Sequence, residues 1–223
     1  METGSADRDG PDRSGKPSTG ASEERPVDLP LENPRRPEAK VERLFVDRWS
    51  PRAFHEEPLS ETQIATLFEA ARWAPSCYND QPWFFIYART PEDRRRFVGL
   101  LTPGNQEWAQ RAPLLCFLLA RRHFAHNNKP NRHCTFDAGA AWASLAFQAR
   151  FLGLYAHGMA GFDRERAYDV LGVPDADYDI LAAIAVGRRA PADTLPPAIA
   201  KNERPNRRKA PAEVAREGGF SSA

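Results

Sequence analysis

The 223-residue sequence has little net charge, few cysteines and no long apolar run. Its 31 Lys and Arg nearly balance its 30 Asp and Glu, so bulk charge gives no reason to expect binding to nucleic acid or to an anionic membrane surface. The longest apolar runs, such as LLCFLLA at 114–120, fall far short of the roughly 20 residues that span a bilayer. The odd number of cysteines (Cys77, Cys116 and Cys134) favours reduced thiols. With no apolar signal-peptide stretch at the N-terminus, composition predicts a soluble, cytoplasmic protein.

Several motifs that would assign a chemistry are also missing. The sequence contains no GxGxxG dinucleotide fingerprint, no GxxxxGK[ST] phosphate loop and no GxSxG nucleophile elbow. His123, His126, His133 and Cys134 lie close together, but their spacing fits no common structural zinc pattern. We therefore expect no metal site, and neither a P-loop enzyme nor an esterase.

Composition divides the chain near residue 40. Residues 1–40 contain no aromatic side chain and are rich in Gly, Pro, Ser and charged residues. Such a segment cannot bury enough apolar area to offset its loss of conformational entropy. We predict a disordered tail over residues 1–40 and a single domain over residues 41–220.

Helical and strand patterns alternate within the predicted domain. The sequence SETQ at 60–63 is a capping-box pattern, and apolar residues at helical spacing follow it to Ala74. The remaining patterns are buried strands at 83–88, 113–120 and 179–187, and helices at 91–101, 137–153 and 164–171. Helices that alternate with continuous apolar strands predict a layered α+β or α/β domain.

Two clusters of basic residues are candidate phosphate sites. Arg48, Ser50 and Arg52 alternate in DRWSPRAF, so in an extended segment all three lie on one side and bracket one phosphate. PNRRKAP near the C-terminus forms the second cluster over 207–209, and Arg188 and Arg189 compete with it because they follow a strand. Each cluster is also explained by an ordinary solvated surface.

Three further stretches carry polar or small residues suited to a flat, polar ligand. APSCYNDQPW at 74–83 offers hydroxyl and amide groups that pair with a heteroaromatic ring, although a helix-to-strand turn explains it equally well. GNQEW at 104–108 adds amides in an expected loop. HGMAGF at 157–162 has two glycines where backbone amides can approach a ligand closely.

Taken in order, RWSPRAF, APSCYNDQPW, GNQEW, DAGAAWASLAFQARFLGL, HGMAGF and AVGRRAP resemble the nitroreductase family of flavoproteins. The resemblance covers roughly residues 41–220. It implies an α+β three-layer sandwich, with a central mixed sheet and helices on both faces. It also implies a domain-swapped-style homodimer that binds FMN in each of two clefts at the subunit interface, with NAD(P)H as electron donor.

The resemblance also implies which residues bind FMN. The matching positions are Arg48, Trp49, Ser50, Arg52, Ser76, Cys77, Asn79, Gln81, Asn105, Ala160, Gly161, Arg207 and Lys209. Arg48, Ser50 and Arg52 hold the phosphate and the ribityl chain from one end. Arg207 and Lys209 hold the phosphate from the other. The residues between 76 and 81 come from the partner subunit. Asn105 bonds the pyrimidine edge, and the amide of Ala160 or Gly161 points at flavin N5.

The implied reaction is hydride transfer from NAD(P)H through flavin N5 to an acceptor such as a nitroaromatic or a quinone, with ping-pong kinetics. The flavin carries the chemistry, so no side chain is expected to act as a catalyst. Two alternatives remain open within the fold: a specialised FMN enzyme (a reductive dehalogenase or a dehydrogenase), and a flavin-binding protein without NAD(P)H turnover. Near-zero net charge counts against a nucleic-acid surface.

Overall fold

A computed structural model describes residues 33–220 and shows an α+β domain. Four strands form one sheet in the order β1-β2-β4-β3. The strands are β1 (Trp83–Ala88), β2 (Leu114–Arg121), β3 (Tyr155–Met159) and β4 (Tyr178–Gly187). The helices are α1 (Arg43–Asp47), α2 (Glu61–Arg72), α3 (Pro91–Val98), α4 (Pro103–Ala109), α5 (Cys134–Phe151), α6 (Arg164–Leu171), α7 (Pro197–Ala200) and α8 (Pro211–Val214). The predicted α+β class is confirmed.

The residues of β2 show how the layers are built. Leu115, Phe117 and Leu119 point to one face of the sheet, where they pack with residues of α3, α4 and α6. The alternate residues, among them Leu114 and Leu118, point to the other face and pack with α2 and α5. Successive side chains of a strand face opposite ways, so a strand that is apolar throughout needs cover on both sides. The helices on both faces supply that cover.

The sheet differs in one detail from the expected mixed sheet. Within residues 33–220 all three strand pairings are antiparallel. β2 and β3 run in the same direction, but β4 lies between them and pairs with both. The long connection through α5 therefore joins two parallel strands that are not neighbours.

Local sequence signals explain where two helices begin. Ser60 and Gln63 form the predicted capping box at the start of α2, with Ser60 Oγ accepting from the Gln63 amide at 3.1 Å. GNQEW, which was expected in a loop, lies instead in α4. The reason is Pro103, whose fixed φ suits the first turn of a helix and whose missing N–H costs nothing there.

The chain is anchored to the domain before residue 41. Residues 1–32, which hold most of the predicted tail, lie outside the described residues. Asn33 Nδ2 donates to Asp47 Oδ1 at 3.0 Å, and Arg35 Nη1 donates to the Arg48 carbonyl at 2.6 Å. Asn33 and Arg35 thus contact the end of α1. The start of the domain at Val41 stays a prediction.

Residues 33–220 hold neither a membrane-spanning helix nor a cluster of metal-binding side chains. No helix in this range is long and apolar enough to cross a bilayer. The same residues contain no group of three or more His, Cys, Asp or Glu placed to hold a metal ion. The three cysteines are free thiols, and complete burial raises the pKa of Cys116 well above its usual range.

Candidate functional site

A cleft of about 1210 Å³ lies between the segment after α1 and the C-terminal segment after α7. Trp49 and Ser50 line it on one side. Four arginines also line it: Arg36, Arg52, Arg204 and Arg207. No carboxylate of residues 33–220 stands among its lining residues. A concave surface that carries only positive charge concentrates anions, so the cleft suits a negatively charged ligand.

Three guanidinium groups lie close together beside this cleft. Burial and the nearby Arg208 lower the pKa of Arg48. Burial, Arg208 and Arg48 lower the pKa of Arg35, against an opposing effect of Asp47. Arginine stays protonated in proteins, so these three side chains repel one another as cations. Arg35 donates to the carbonyls of Val46, Arg48 and Asn206, so a phosphate placed here would offset the repulsion and accept hydrogen bonds chiefly from Arg48.

Ser50 joins the arginine cluster to the cleft. Arg48 Nη1 lies 3.4 Å from Ser50 Oγ, a long contact that leaves most of the guanidinium's donor capacity for another acceptor. A smaller cavity of about 290 Å³ is lined by both Arg48 and Ser50, and Ser50 also lines the large cleft. Residues 48, 50 and 52 thus line two cavities that share Ser50, and their role as phosphate ligands stays a prediction.

Glu203 fixes the backbone from which Arg52 projects. Its Oε1 accepts from the amides of Arg52 at 2.7 Å and Ala53 at 2.9 Å. Two amide donors on one carboxylate oxygen hold this turn against the C-terminal segment. Glu203 therefore determines where two walls of the cleft stand relative to each other, a role that its position in the sequence does not indicate.

His157 holds the same turn from the strand side. Its Nδ1 lies 2.8 Å from the carbonyl oxygen of Pro51, and its ring centroid lies 4.6 Å from that of Trp108. A carbonyl oxygen only accepts, so Nδ1 carries the hydrogen. Burial lowers the pKa of His157 to about 4; the Pro51 bond opposes this shift, and Arg52 adds to it. The imidazole is thus neutral at pH 7 and serves as a fixed donor.

The loop of residues 76–81 has an unusual backbone. Tyr78, Asn79 and Gln81 have φ angles of 53°, 54° and 49°, in the left-handed region that favours glycine. Ser76 Oγ accepts from the Gln81 amide at 3.0 Å, and Gln81 Nε2 donates to the Asn79 carbonyl at 2.8 Å. Non-glycine residues held in this region cluster at binding sites, where the surroundings keep them in place.

Asp137 ties the start of this loop to α5. Its carboxylate is buried in the first turn of the helix and accepts from the Cys77 amide at 3.1 Å. Asp137 therefore has a structural role at the junction of the loop and the helix. Tyr78, in contrast, is 81% exposed at the tip of the loop.

A third group joins α4 to the residues after β3. Asn105 Nδ2 donates to the Gly161 carbonyl at 2.9 Å, and the Thr102 amide donates to the same oxygen at 3.0 Å. A Cβ at Gly161 would lie 2.6 Å from Asn105 Nδ2 and 2.8 Å from Thr102 Oγ1. A side chain at 161 would therefore push against those of Asn105 and Thr102, and Ala160 beside it is exposed.

Gly161→Ala is expected to displace Asn105 and to lower the free energy of unfolding by about 1–3 kcal/mol, the usual cost of overpacking. Gly104→Ala is the matched control, because no atom lies within 4 Å of its Cβ position and alanine favours the helix. Denaturant unfolding of both variants measures the difference. Equal stability of the two variants would contradict the close contact described.

The structure separates the predicted site residues into three groups. Trp49, Ser50, Arg52 and Arg207 line the cleft with Arg48 beside them, whereas Lys209 is exposed and does not line it. In the single chain described over 33–220, neither the 76–81 loop nor the group of Asn105, Ala160 and Gly161 lines the cleft.

Sequence reasoning missed part of the cationic group. The basic run contains Arg208, but the resemblance implies only its neighbours Arg207 and Lys209 as FMN ligands. Arg35 fell in the predicted tail, where no motif marks it. Arg188 forms an ion pair with Glu57 at 3.2 Å, which weakens it as a competing phosphate ligand.

The nitroreductase family profile matches this chain over residues 46–102 and 100–188, which is more than half of its length. A provisionally named NADH dehydrogenase/NAD(P)H nitroreductase of Streptomyces coelicolor is 27% identical over 177 residues, covering 70% of this chain and 87% of its own.

Solved structures give a consistent result. A crystal structure described as an oxidoreductase containing FMN superposes with a TM-score of 0.82 at 43% identity, over 87% of this chain and all of that one. An FMN complex of a nitroreductase-like protein from Desulfovibrio desulfuricans has a TM-score of 0.63 at 24% identity, covering 80% of this chain and 96% of its own, and it supports the fold alone. The sequence match and the shared fold together establish that this chain belongs to the nitroreductase family.

Proposed function

We propose that the protein is an FMN-dependent oxidoreductase that takes hydride from NAD(P)H and passes electrons to an acceptor such as a nitroaromatic or a quinone. The observation that carries this proposal is the cleft, which is lined by four arginines and, within residues 33–220, by no carboxylate, with Arg48 beside it. A similar protein of 43% identity is described as containing FMN, and a relative of 27% identity is named for NAD(P)H.

The residues present fit the phosphate end of FMN. The mutual repulsion of the guanidiniums calls for a multiply charged anion, and phosphate carries three acceptor oxygens for them. Trp49 Nε1 is a buried donor with no hydrogen-bond partner among the described residues, which marks the wall of the cleft as incomplete without a ligand. Arg48, Ser50, Arg52 and Arg207 would hold the phosphate and ribityl chain.

When bound, FMN supplies the hydride-accepting and hydride-donating atom, N5. The protein contributes position, charge and exclusion of water. The cationic group stabilises negative charge on the bound cofactor, and His157 and Glu203 hold the turn that presents Arg52. Asn105 and the backbone at Ala160 and Gly161 would serve the ring end. No side chain of this set needs to act as a nucleophile.

We further propose a homodimer in which the 76–81 loop of one subunit faces the cofactor of the other. Two features support it: the loop does not line the cleft of its own chain, and large apolar side chains at the C-terminal cap of α2 and in α5 face solvent. Trp73, Phe136 and Phe151 are 73%, 78% and 60% exposed, and apolar surface of this kind marks association sites. Sedimentation equilibrium that gave only monomer would contradict the dimer.

Asn79→Ala is expected to weaken FMN binding about tenfold, through loss of one amide hydrogen bond to the cofactor. Asn128→Ala is the matched control, because Asn128 is also exposed and has a similar φ of 56°, against 54° for Asn79. The strain of alanine in the left-handed region is then the same in both variants. Equal FMN affinity of the two, measured by flavin fluorescence, would assign residues 76–81 to an ordinary turn.

Steady-state kinetics test the proposed reaction. One site that serves donor and acceptor in turn gives parallel double-reciprocal lines when NADH or NADPH is varied at fixed concentrations of a quinone. Intersecting lines would require both substrates to be bound together and would contradict the ping-pong scheme. Purified protein with FMN that oxidises neither donor would contradict the proposed activity itself.

A further inference from the structure

Asp80 is a buried carboxylate within the 76–81 loop that the proposed cofactor contacts do not use. Only 1% of its side chain is exposed. Its Oδ2 lies 3.0 Å from Arg121 Nη2 and 3.5 Å from Asn131 Nδ2, and its Oδ1 accepts from the Ala125 amide at 2.8 Å. A charge so completely buried is retained only when it is paired and hydrogen-bonded, and Asp80 is both.

The partners of Asp80 belong to a different part of the chain. Arg121 ends β2, whereas Ala125 and Asn131 lie in the segment of residues 122–133, which leads to α5. This segment folds on itself, with the Phe124 amide donating to the Lys129 carbonyl at 2.9 Å. Asp80 is thus the point at which the 122–133 segment is hydrogen-bonded to the 76–81 loop.

Aromatic rings make a second contact between the two regions. The rings of Phe124 and His126 lie 5.7 and 5.8 Å from that of Tyr78, between centroids. Tyr78 is also one of the three residues with positive φ that surround Asp80 in sequence. The backbone of Tyr78 is therefore held in an unfavourable conformation next to the residue that bonds to the other segment.

The left-handed backbone needs support from outside the loop. A non-glycine residue held in this sparsely populated region is strained, unless its side chain favours the region as that of Asn does. The bonds to Ser76 and Asn79 lie within the loop, but those of Asp80 connect it to β2 and to the 122–133 segment. Asp80 is placed to hold the loop in this form.

We propose that Asp80 is a positioning residue: it keeps the 76–81 loop in its cofactor-binding conformation and couples that loop to the 122–133 segment. The proposal rests on the proposed function, in which this loop faces FMN. Through this coupling, binding of FMN slows opening of the 122–133 segment, and loss of the bonds that join Asp80 to that segment weakens FMN binding.

Asp80→Asn tests the coupling, with Asp179→Asn as the control. Asp179 pairs at 2.8 Å with Arg122, which follows Arg121 and begins the 122–133 segment. Asp179 is partly exposed and does not bond to the 76–81 loop. Both variants lose one negative charge beside β2. Two quantities are measured on the full chain: the exchange rate of the Ala125 amide hydrogen with and without FMN, and the dissociation constant of FMN.

In the wild type and in Asp179→Asn, FMN is expected to slow exchange at Ala125. In Asp80→Asn, exchange is faster, FMN no longer slows it, and the dissociation constant rises about tenfold or more. At saturating FMN, the visible circular dichroism of the bound flavin also changes in Asp80→Asn, because the loop meets the ring differently. A residue needed only for stability would leave that spectrum as in the wild type.

If Asp80→Asn does not fold, Arg121→Lys keeps a positive charge beside the carboxylate, loses the planar guanidinium and is expected to show the same changes in smaller degree. FMN affinity and dichroism equal to those of Asp179→Asn would overturn the proposal, even with faster exchange at Ala125. A wild type that binds no FMN would overturn the proposed function and with it the link to the cofactor. That failure is recognised in the wild type before any variant is compared.

Discussion

Replacing Arg48 and Arg52 together by alanine is expected to release FMN and to leave a folded protein. Hydrogen bonds to charged groups contribute about 1.5–3 kcal/mol each, so the loss of two weakens FMN binding by at least about a hundredfold. The fold should survive, because Arg48 is repelled by Arg208 and the carboxylate of Glu203 bonds the backbone of Arg52, not its side chain. Flavin content after gel filtration measures the effect.

The control is the double variant Arg95→Ala with Arg96→Ala, on the exposed side of α3. This control also removes two positive charges, but neither Arg95 nor Arg96 lines the cleft, and both are distant from it in sequence. FMN content is expected to stay at the wild-type level in this control. Stoichiometric flavin in the Arg48 and Arg52 variant would refute the assignment of the phosphate site.

Lowering the pH from about 6.5 to about 4 is expected to cost the protein stability through His157. Burial lowers the pKa of His157 from 6.5 to about 4 in the folded state. The unfolded chain therefore binds more protons than the folded chain in this range, so the stability present above pH 6.5 is lost as the pH falls toward 4. At 1.36 kcal/mol per pKa unit, the loss from this one residue amounts to about 3 kcal/mol.

His157→Asn isolates that effect from the titration of other groups. Asparagine offers an amide donor near the position of Nδ1, so it retains the bond to Pro51 without a titrating ring. Arg48 and Arg52, the charged groups that also act on His157, are present in both proteins, so the comparison isolates the imidazole. Free energies of unfolding of the two proteins, measured between pH 4 and 7, should diverge as the pH falls. Parallel curves would show that His157 does not titrate as described.

Much of the fold was predictable, because it depends on local signals. The capping box at Ser60, the continuous apolar run of β2 and the apolar helix α5 each carry a pattern that needs no knowledge of the rest of the chain. β3 was not predicted as a strand. Its sequence, YAHGM, is short and contains a glycine, and it is extended because it pairs with β4.

The site was predictable where neighbours in sequence are also neighbours in space. Arg48, Ser50 and Arg52 lie together because an extended segment places alternate residues on one side. Arg35 joins them from 13 residues away, and Glu203 acts across a separation of 151 residues. Contacts between residues so far apart produce no recognisable pattern in the sequence, so only the folded structure reveals them.

The most direct test of the proposed function is the absorption spectrum of the purified protein, recorded before and after anaerobic addition of NADH and then NADPH. An oxidised flavin spectrum that one donor bleaches, and that returns with a nitroaromatic or a quinone, is the predicted result. It would also show which donor the protein prefers. A colourless protein that takes up no added FMN would contradict the account.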